Sequence, residues 1–394
     1  MHKKTFFLRS RIPNGDNSCV SESHAQTGPI EGFTLETTTT QDGRAVLSFP
    51  FMAISDLHWG TKYSRAKRTT HMLRHIQTDR LDMVGDVIDG DALMKKKRWN
   101  FGPWHRQAMA EVLRMTHNGT QTNIYPGNHD EALRGRPLQD GGRRFPGKLS
   151  GKSLYGVRFC EDAVYAAPDG RRFLITHGDL YDNHLFTSLQ SRAFWYAVGG
   201  HAYDALNEVD YWINKIPLCR EFSIAAAGKR AAKIVINRFL GIRAQMAREI
   251  DSRMDCDGAI YGHSHMGGFE RTPGGKLLIN DGCCTEYVQA LVHDRQGRFA
   301  LLTWRKDRLD VTTEDGREQS VSWAALGLAR EFERPMVLRE DAFTARADRV
   351  MRLIYRMWPA RDRQAYAEDK RREVASGGTF TAPPRPAMPI PRMA

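Results

Sequence analysis

A repeated unit dominates this chain, in which a short apolar run stops at polar, ligand-type residues. Phe51-Met52-Ala53-Ile54 runs into Ser55-Asp56, Leu81-Asp82-Met83-Val84 into Gly85-Asp86, and Thr122-Asn123-Ile124-Tyr125 into Pro126-Gly127-Asn128. Phe173-Leu174-Ile175 before Thr176-His177 and Ala259-Ile260-Tyr261 before Gly262-His263 continue the series. Short apolar runs bounded by turn residues predict buried strands, and open α/β sheets collect ligands at the carboxyl ends of their strands. Helical patterns from Arg65 to Gln77 and from Trp104 to His117 supply the crossovers that parallel strands require.

After His265 the pattern changes. Leu277-Leu278-Ile279, Glu286 to Val292 and Phe299 to Trp304 predict strands joined at Gly274-Gly275 and Gln296-Gly297, an antiparallel meander. The chain therefore reads as α/β, with mixed sheets flanked by helices. Its 394 residues allow one sizeable core with appendages. Residues 1–44, with the run Thr37 to Thr40, predict an irregular arm, and order is expected from Ala45. A central domain then spans 45–310. Within it, about 183–255 form a helical stretch rich in Phe, Trp, Tyr and Ala, expected to hang over the site as a cap. Residues 311–375 read as a partly helical extension, with a helix from Asp341 to Trp358, and 376–394 as a disordered Pro-rich tail.

Composition removes several classes. No apolar run reaches the ~18 residues of a membrane span, and near the start only Phe6-Phe7-Leu8 is apolar, so no export signal is expected. The six cysteines follow no metal or disulfide spacing, which suits a reducing cytoplasm. A net charge of +12 favours anionic partners. The basic clusters Lys95-Lys96-Lys97-Arg98, Lys229-Arg230 with Lys233, and Lys370-Arg371-Arg372 read first as solvated surface. No nucleic-acid module is visible.

Five motifs carry the chemistry: Asp56-Leu57-His58, Gly85-Asp86-Val87-Ile88-Asp89-Gly90, Gly127-Asn128-His129-Asp130, Thr176-His177-Gly178-Asp179 and Gly262-His263-Ser264-His265. Divalent transition metals take imidazole nitrogen with carboxylate or amide oxygen, and residues two apart leave a strand end on the same side. His71 and His75 share helical spacing, but no third ligand is near in sequence, and an exposed face is the simpler reading. Asp130 and Asp179 read as loop caps.

In order and spacing these motifs resemble the calcineurin-like metallophosphoesterases over roughly residues 50–305. The resemblance implies a four-layer α/β/β/α sandwich of two mixed sheets with a helical cap insertion. It also implies two divalent cations, manganese first and iron or zinc as alternatives. Asp56, His58 and His265 would hold one; Asn128, His177 and His263 the other; and Asp86 would bridge them. Hydroxide generated between the cations would attack phosphorus. His129 would contact the phosphate or leaving-group oxygen, oriented by Asp89.

Within the superfamily the chain looks most like the UDP-2,3-diacylglucosamine pyrophosphatases, lipid A biosynthesis enzymes at the bacterial inner membrane surface. The residues that carry this are Ser55-Asp56-Leu57-His58-Trp59-Gly60, the basic run after Gly90, Gly127-Asn128-His129-Asp130-Glu131 and His177-Gly178-Asp179-Leu180-Tyr181-Asp182. It implies a nucleotide-linked lipid substrate, peripheral contact with an anionic membrane, and Asp182, Lys229, Arg230 and Lys233 as substrate contacts. Aromatic residues of the insertion, such as Phe194, Trp195 and Tyr203, would line an acyl pocket or form core. The chain departs from that group at His129, where its best-known members carry arginine. A phosphomonoesterase or phosphodiesterase on another nucleotide or phospholipid is the alternative, followed by a nuclease and a non-catalytic scaffold.

Overall fold

The computed structural model describes residues 27–40, 42–90, 101–130, 133, 151–181, 242–333 and 335–356. Two mixed sheets stack face to face. The first has the order β16-β15-β14-β13-β3-β4-β5-β7-β6, with β3 (Ala45–Ile54), β4 (Ile76–Val84) and β5 (Gln121–Tyr125) parallel at its centre. β6 (Ser153–Leu154) and β7 (Val157–Phe159) close one edge. β13 (Gln289–His293), β14 (Phe299–Trp304), β15 (Arg308–Thr313) and β16 (Glu318–Ser322) form an antiparallel meander on the other side. The second sheet runs β11-β12-β10-β9-β8, from β8 (Ala163–Ala166), β9 (Arg172–Ile175), β10 (Gly258–Tyr261), β11 (Gly268–Arg271) and β12 (Leu277–Asn280).

Strand alternation assigns each side chain to a layer. From β3, Met52 and Ile54 face the helices α1 (Ala66–Arg74), α2 (Pro103–His117) and α5 (Ala342–Arg356), while Phe51 and Ala53 face the second sheet. There they meet Phe173, Ile175, Ile260 and Ile279. Full burial of a side chain the size of Phe51 contributes roughly 1.5–3 kcal/mol, so this dry seam holds the sheets in fixed relation. On the outer face of the second sheet Leu174, Ala259, Tyr261 and Leu278 pack under Met246, Ala247 and Ile250 of α3 (Ile242–Ser252). Helices, sheet, sheet and helix make the four-layer α/β/β/α sandwich. Among the described residues no helix is long and apolar enough to cross a membrane.

Several expectations need correction. Order begins before Ala45: β1 (Thr27–Ile30) and β2 (Phe33–Thr39) form a hairpin that pairs with the start of β3. Phe33 and Leu35 are buried at a spacing of two, and threonine favours strands, so the polar run hid a half-buried strand. The helix expected to reach Gln77 stops at Arg74, because Ile76 already pairs with Leu47. Leu277–Asn280 joins the second sheet parallel to β10 and is no part of the meander. The first sheet continues past 310 to Ser322, with Leu309 and Val311 buried between polar residues.

Beyond it lie α4 (Ala329–Glu333) and α5, which covers the helix expected from Asp341. Within the expected insertion, Ile242–Ser252 is the outer helix of the sandwich, while residues 183–241 lie outside the described ones. His71 and His75 are packed rather than exposed: their rings meet Trp304 and Phe332, and the Trp304 indole donates to His71 Nδ1 at 3.0 Å. Burial, with the positive neighbours His75 and Arg74, pushes His71 down to about 3.

Candidate metal centre

Register brings the five motifs together. Ile54 lies beside Met83 and Val84 beside Tyr125, so the loops after β3, β4 and β5 leave the first sheet side by side. Ile175 lies beside Ile260 and Tyr261 beside Asn280, which does the same in the second sheet. Backbone bonds stitch the loops: Asp56 N–H donates to Gly85 O at 3.1 Å, His58 N–H to Asp86 O at 2.8 Å, and Gly262 N–H to His177 O at 3.1 Å.

The loops are also strained in one place. Asp56, His58, Asp86, His263 and His265 all hold left-handed backbone, with φ of 52°, 45°, 50°, 62° and 54°. Among the described residues Tyr155 is the one other non-glycine residue with positive φ. Such conformations cost about 1–3 kcal/mol each and persist where the surroundings over-determine them. Here they turn five side chains inward. The close approach needs Gly85, since a Cβ there would lie 2.1 Å from His177 Nδ1.

Three clusters result: Asp56 with His58 and His265, Asp86 with His177 and His263, and His58 with Asp89 and His129. Asp56 Oδ1 lies 2.9 Å from His265 Nε2 and 3.8 Å from His58 Nε2. Asp86 Oδ2 stands between the groups, 3.4 Å from His177 Nε2, 3.7 Å from His58 Nε2 and 4.0 Å from His129 Nε2. His177 Nδ1 lies 2.8 Å from Val84 O, which aims Nε2 at the centre. Asp56 Oδ1, His58 Nε2 and His177 Nε2 are buried and make no hydrogen bond of good geometry, although oppositely charged side chains stand 2.9 to 3.8 Å away. Buried polar atoms without a hydrogen bond cost free energy, so three ligand-type atoms converging in this state fit divalent cations.

Asn128 lies on the same turn, between Gly127 and His129, and is exposed. His129 N–H donates to Asp86 Oδ1 at 2.8 Å. Asp89 does more than the motif implied. Its Oδ1 lies 3.3 Å from His129 Nδ1 and its Oδ2 3.1 Å from His58 Nδ1, so one carboxylate orients two imidazoles. Asp130 is a loop brace: its carboxylate accepts from the amides of Val87 at 2.9 Å, Ile88 at 3.3 Å and Gly127. No short-range pattern reveals these contacts, because all but the one to Gly127 join loops some 30 to 45 residues apart. Asp182, Lys229, Arg230 and Lys233 lie outside the described residues.

Burial opposes ionisation of Asp56, Asp86 and Asp89, but the surrounding imidazoles outweigh it and hold all three below the usual carboxylate range. Burial likewise opposes charge on the histidines, yet Asp86 and its neighbours push His177 up to about 10 and His129 up to about 9. In the cation-free protein this pairing stabilises the fold below pH 6.5 and is lost as pH rises through about 10. Cation binding needs a neutral imidazole, so each cation that binds displaces protons. Two opposite trends are expected between about pH 6.5 and 8.5: falling thermal stability of the cation-free protein and rising Mn2+ affinity. Calorimetric titration in buffers of different ionisation enthalpy checks this, and an absence of proton release would refute it.

The model for the calcineurin-like phosphoesterases matches residues 49–267, more than half of the chain. The chain belongs to that family. This phosphoesterase is therefore a metal-dependent phosphoester hydrolase, and its clusters are suited to metal ions. Vacuolar Protein Sorting 29 from Cryptosporidium parvum aligns at 16% identity, covering 69% of this chain and 94% of that one, with a TM-score of 0.27. A dimetal phosphatase from Danio rerio aligns at 13%, covering 70% and 99%, with a TM-score of 0.30. A predicted phosphoesterase from Streptococcus pneumoniae aligns at 14%, covering 69% and 96%, with a TM-score of 0.24. No curated protein matches the chain.

Proposed function

We propose that this phosphoesterase uses two divalent cations, manganese in the first instance, to cleave the pyrophosphate of a nucleotide-linked lipid of the UDP-2,3-diacylglucosamine kind. Asp56, His58 and His265 would hold one cation, Asn128, His177 and His263 the other, with Asp86 shared. The single observation that carries the reading is the trio of buried ligand atoms on Asp56, His58 and His177 that converge without a hydrogen bond of good geometry. Two bound cations supply an acidified water and neutralise charge on the phosphoryl oxygens.

The chain's own residues do the rest. The side chain of His129 is 29% exposed, against 10% for His58 and 0% for His177, so His129 is the imidazole that faces an incoming phosphoester. Asp89 holds its Nδ1. That leaves Nε2 to present a proton to a phosphoryl or departing oxygen, a role worth about 10²- to 10⁴-fold.

The nucleotide-lipid substrate rests on the motif Ser55-Asp56-Leu57-His58-Trp59-Gly60, on His177 to Asp182, and on basic charge suited to an anionic membrane surface. His129 in place of arginine favours the second reading, a phosphomonoesterase or phosphodiesterase on another nucleotide or phospholipid. Manganese-loaded protein is expected to release UMP from UDP-2,3-diacylglucosamine faster than from UDP-glucose. No UMP, with efficient turnover of bis-p-nitrophenyl phosphate, would install the second reading. No turnover of any phosphoester by loaded protein would remove both.

A further inference from the structure

The two oxygens of Asp56 do different work. Oδ1 faces the imidazoles of His265 and His58. Oδ2 faces the protein, with the His263 amide at 3.1 Å and the Ser55 hydroxyl at 2.7 Å. The carboxylate plane can rotate about the Cβ–Cγ bond, so something must fix its orientation. Ser55 Oγ also lies 2.6 Å from Asp281 Oδ1, and Ser55 and Asp281 are 1% and 0% exposed. Asp281 sits just beyond β12, where its N–H donates to Tyr261 O at 3.0 Å. Next to it, the Asn280 amide donates to Gly262 O at 2.7 Å and Ser264 Oγ at 3.1 Å, pinning the loop that carries His263 and His265. That loop packs on Ser55 so closely that a Cβ on Gly262 would lie 2.4 Å from Ser55 Oγ.

We infer that Ser55 and Asp281 are positioning residues that fix the plane of the Asp56 carboxylate so that its free oxygen faces the cation, an inference that rests on the dinuclear reading above. A serine hydroxyl has one hydrogen, and two carboxylate oxygens stand within 2.7 Å of it. Both contacts can be hydrogen bonds only if one carboxyl carries a hydrogen, and Asp281 donating to Ser55 Oγ while Ser55 donates its own to Asp56 Oδ2 is the arrangement that leaves Asp56 an anion facing the cation. The second oxygen of Asp281 is buried with no hydrogen-bond partner, as suits a neutral acid rather than a buried charge. Burial and the nearby Asp56 raise the Asp281 carboxyl well above its usual range, in the same direction.

The test measures Mn2+ binding to each site of the full chain by calorimetry, together with melting of the cation-free protein. Ser55→Ala and Asp281→Ala are expected to weaken one site about 10- to 100-fold and leave the other within about threefold. Asp281→Asn, whose amide can donate to Ser55, is expected to bind within about threefold of the unchanged protein. Cation-free melting should move by no more than a few degrees. If Asp281→Ala does not fold, Ser55→Ala, which removes a single oxygen, decides. Unaltered affinity at both sites, equal weakening of both with a lower melting temperature, or an Asp281→Asn protein as weak as Asp281→Ala would each overturn the inference. Failure of the unchanged protein to bind two cations would instead remove the dinuclear reading beneath it.

Discussion

Replacement of His129 by alanine is expected to lower turnover of bis-p-nitrophenyl phosphate about 10²- to 10⁴-fold while two cations still bind. The separation follows from placement. His129 Nε2 is the most distant of the three imidazole nitrogens around Asp86 Oδ2, at 4.0 Å against 3.4 Å for His177, and its ring is the most exposed. Its loss therefore leaves the Asp56 cluster and the Asp86 cluster intact. What goes is a hydrogen-bond donor held at the mouth by Asp89. Asp89→Asn should reproduce part of the loss by loosening the same ring, and should also disturb His58, which Asp89 orients through its other oxygen. Single-turnover kinetics on manganese-loaded protein, with cation content measured in parallel, makes the comparison. A fall of less than tenfold would take His129 out of the reaction.

Asp86→Ala is expected to be more severe, abolishing measurable turnover and weakening cation binding at both sites by more than about 10²-fold. Asp86 is 2% exposed and its Oδ2 stands within 4.0 Å of imidazoles from three separate loops. Its other oxygen accepts from the His129 amide, so the residue also ties the loop after β5 to the loop after β4. No neighbouring group can replace a carboxylate in that position, because Asp56 and Asp89 are committed to other partners. Asp86→Asn keeps an acceptor for the His129 amide but loses the charge. It should therefore recover melting temperature without recovering cation binding. Two cations per chain at unchanged affinity in Asp86→Ala would defeat the shared-carboxylate arrangement.

Much of the site was legible because its residues sit beside the strand ends that position them. Asp56, Asp86, His177 and His263 each follow an apolar run within a few residues, and periodicity alone located those runs. Local order was less legible where polarity and pattern disagreed. Phe33 and Leu35 signal a strand through two side chains in a threonine-rich stretch, and the strand forms because β3 offers an edge to pair with. His71 and His75 look exposed on a helix wheel until Trp304 and Phe332, far along the chain, cover them.

The α/β class, the five motif loops and the residue types that gather there could be read from the chain, since strand runs and side-chain chemistry are properties of neighbouring residues. Tertiary structure alone decided how those side chains are held. The left-handed backbone at five site residues and the sharing of Asp89 between His58 and His129 depend on loops of neighbouring strands meeting, and the Ser55–Asp281 contact on loops of the two sheets meeting. Those meetings are set by strand register and by packing across the sheet seam. Neither is written in any local stretch of chain.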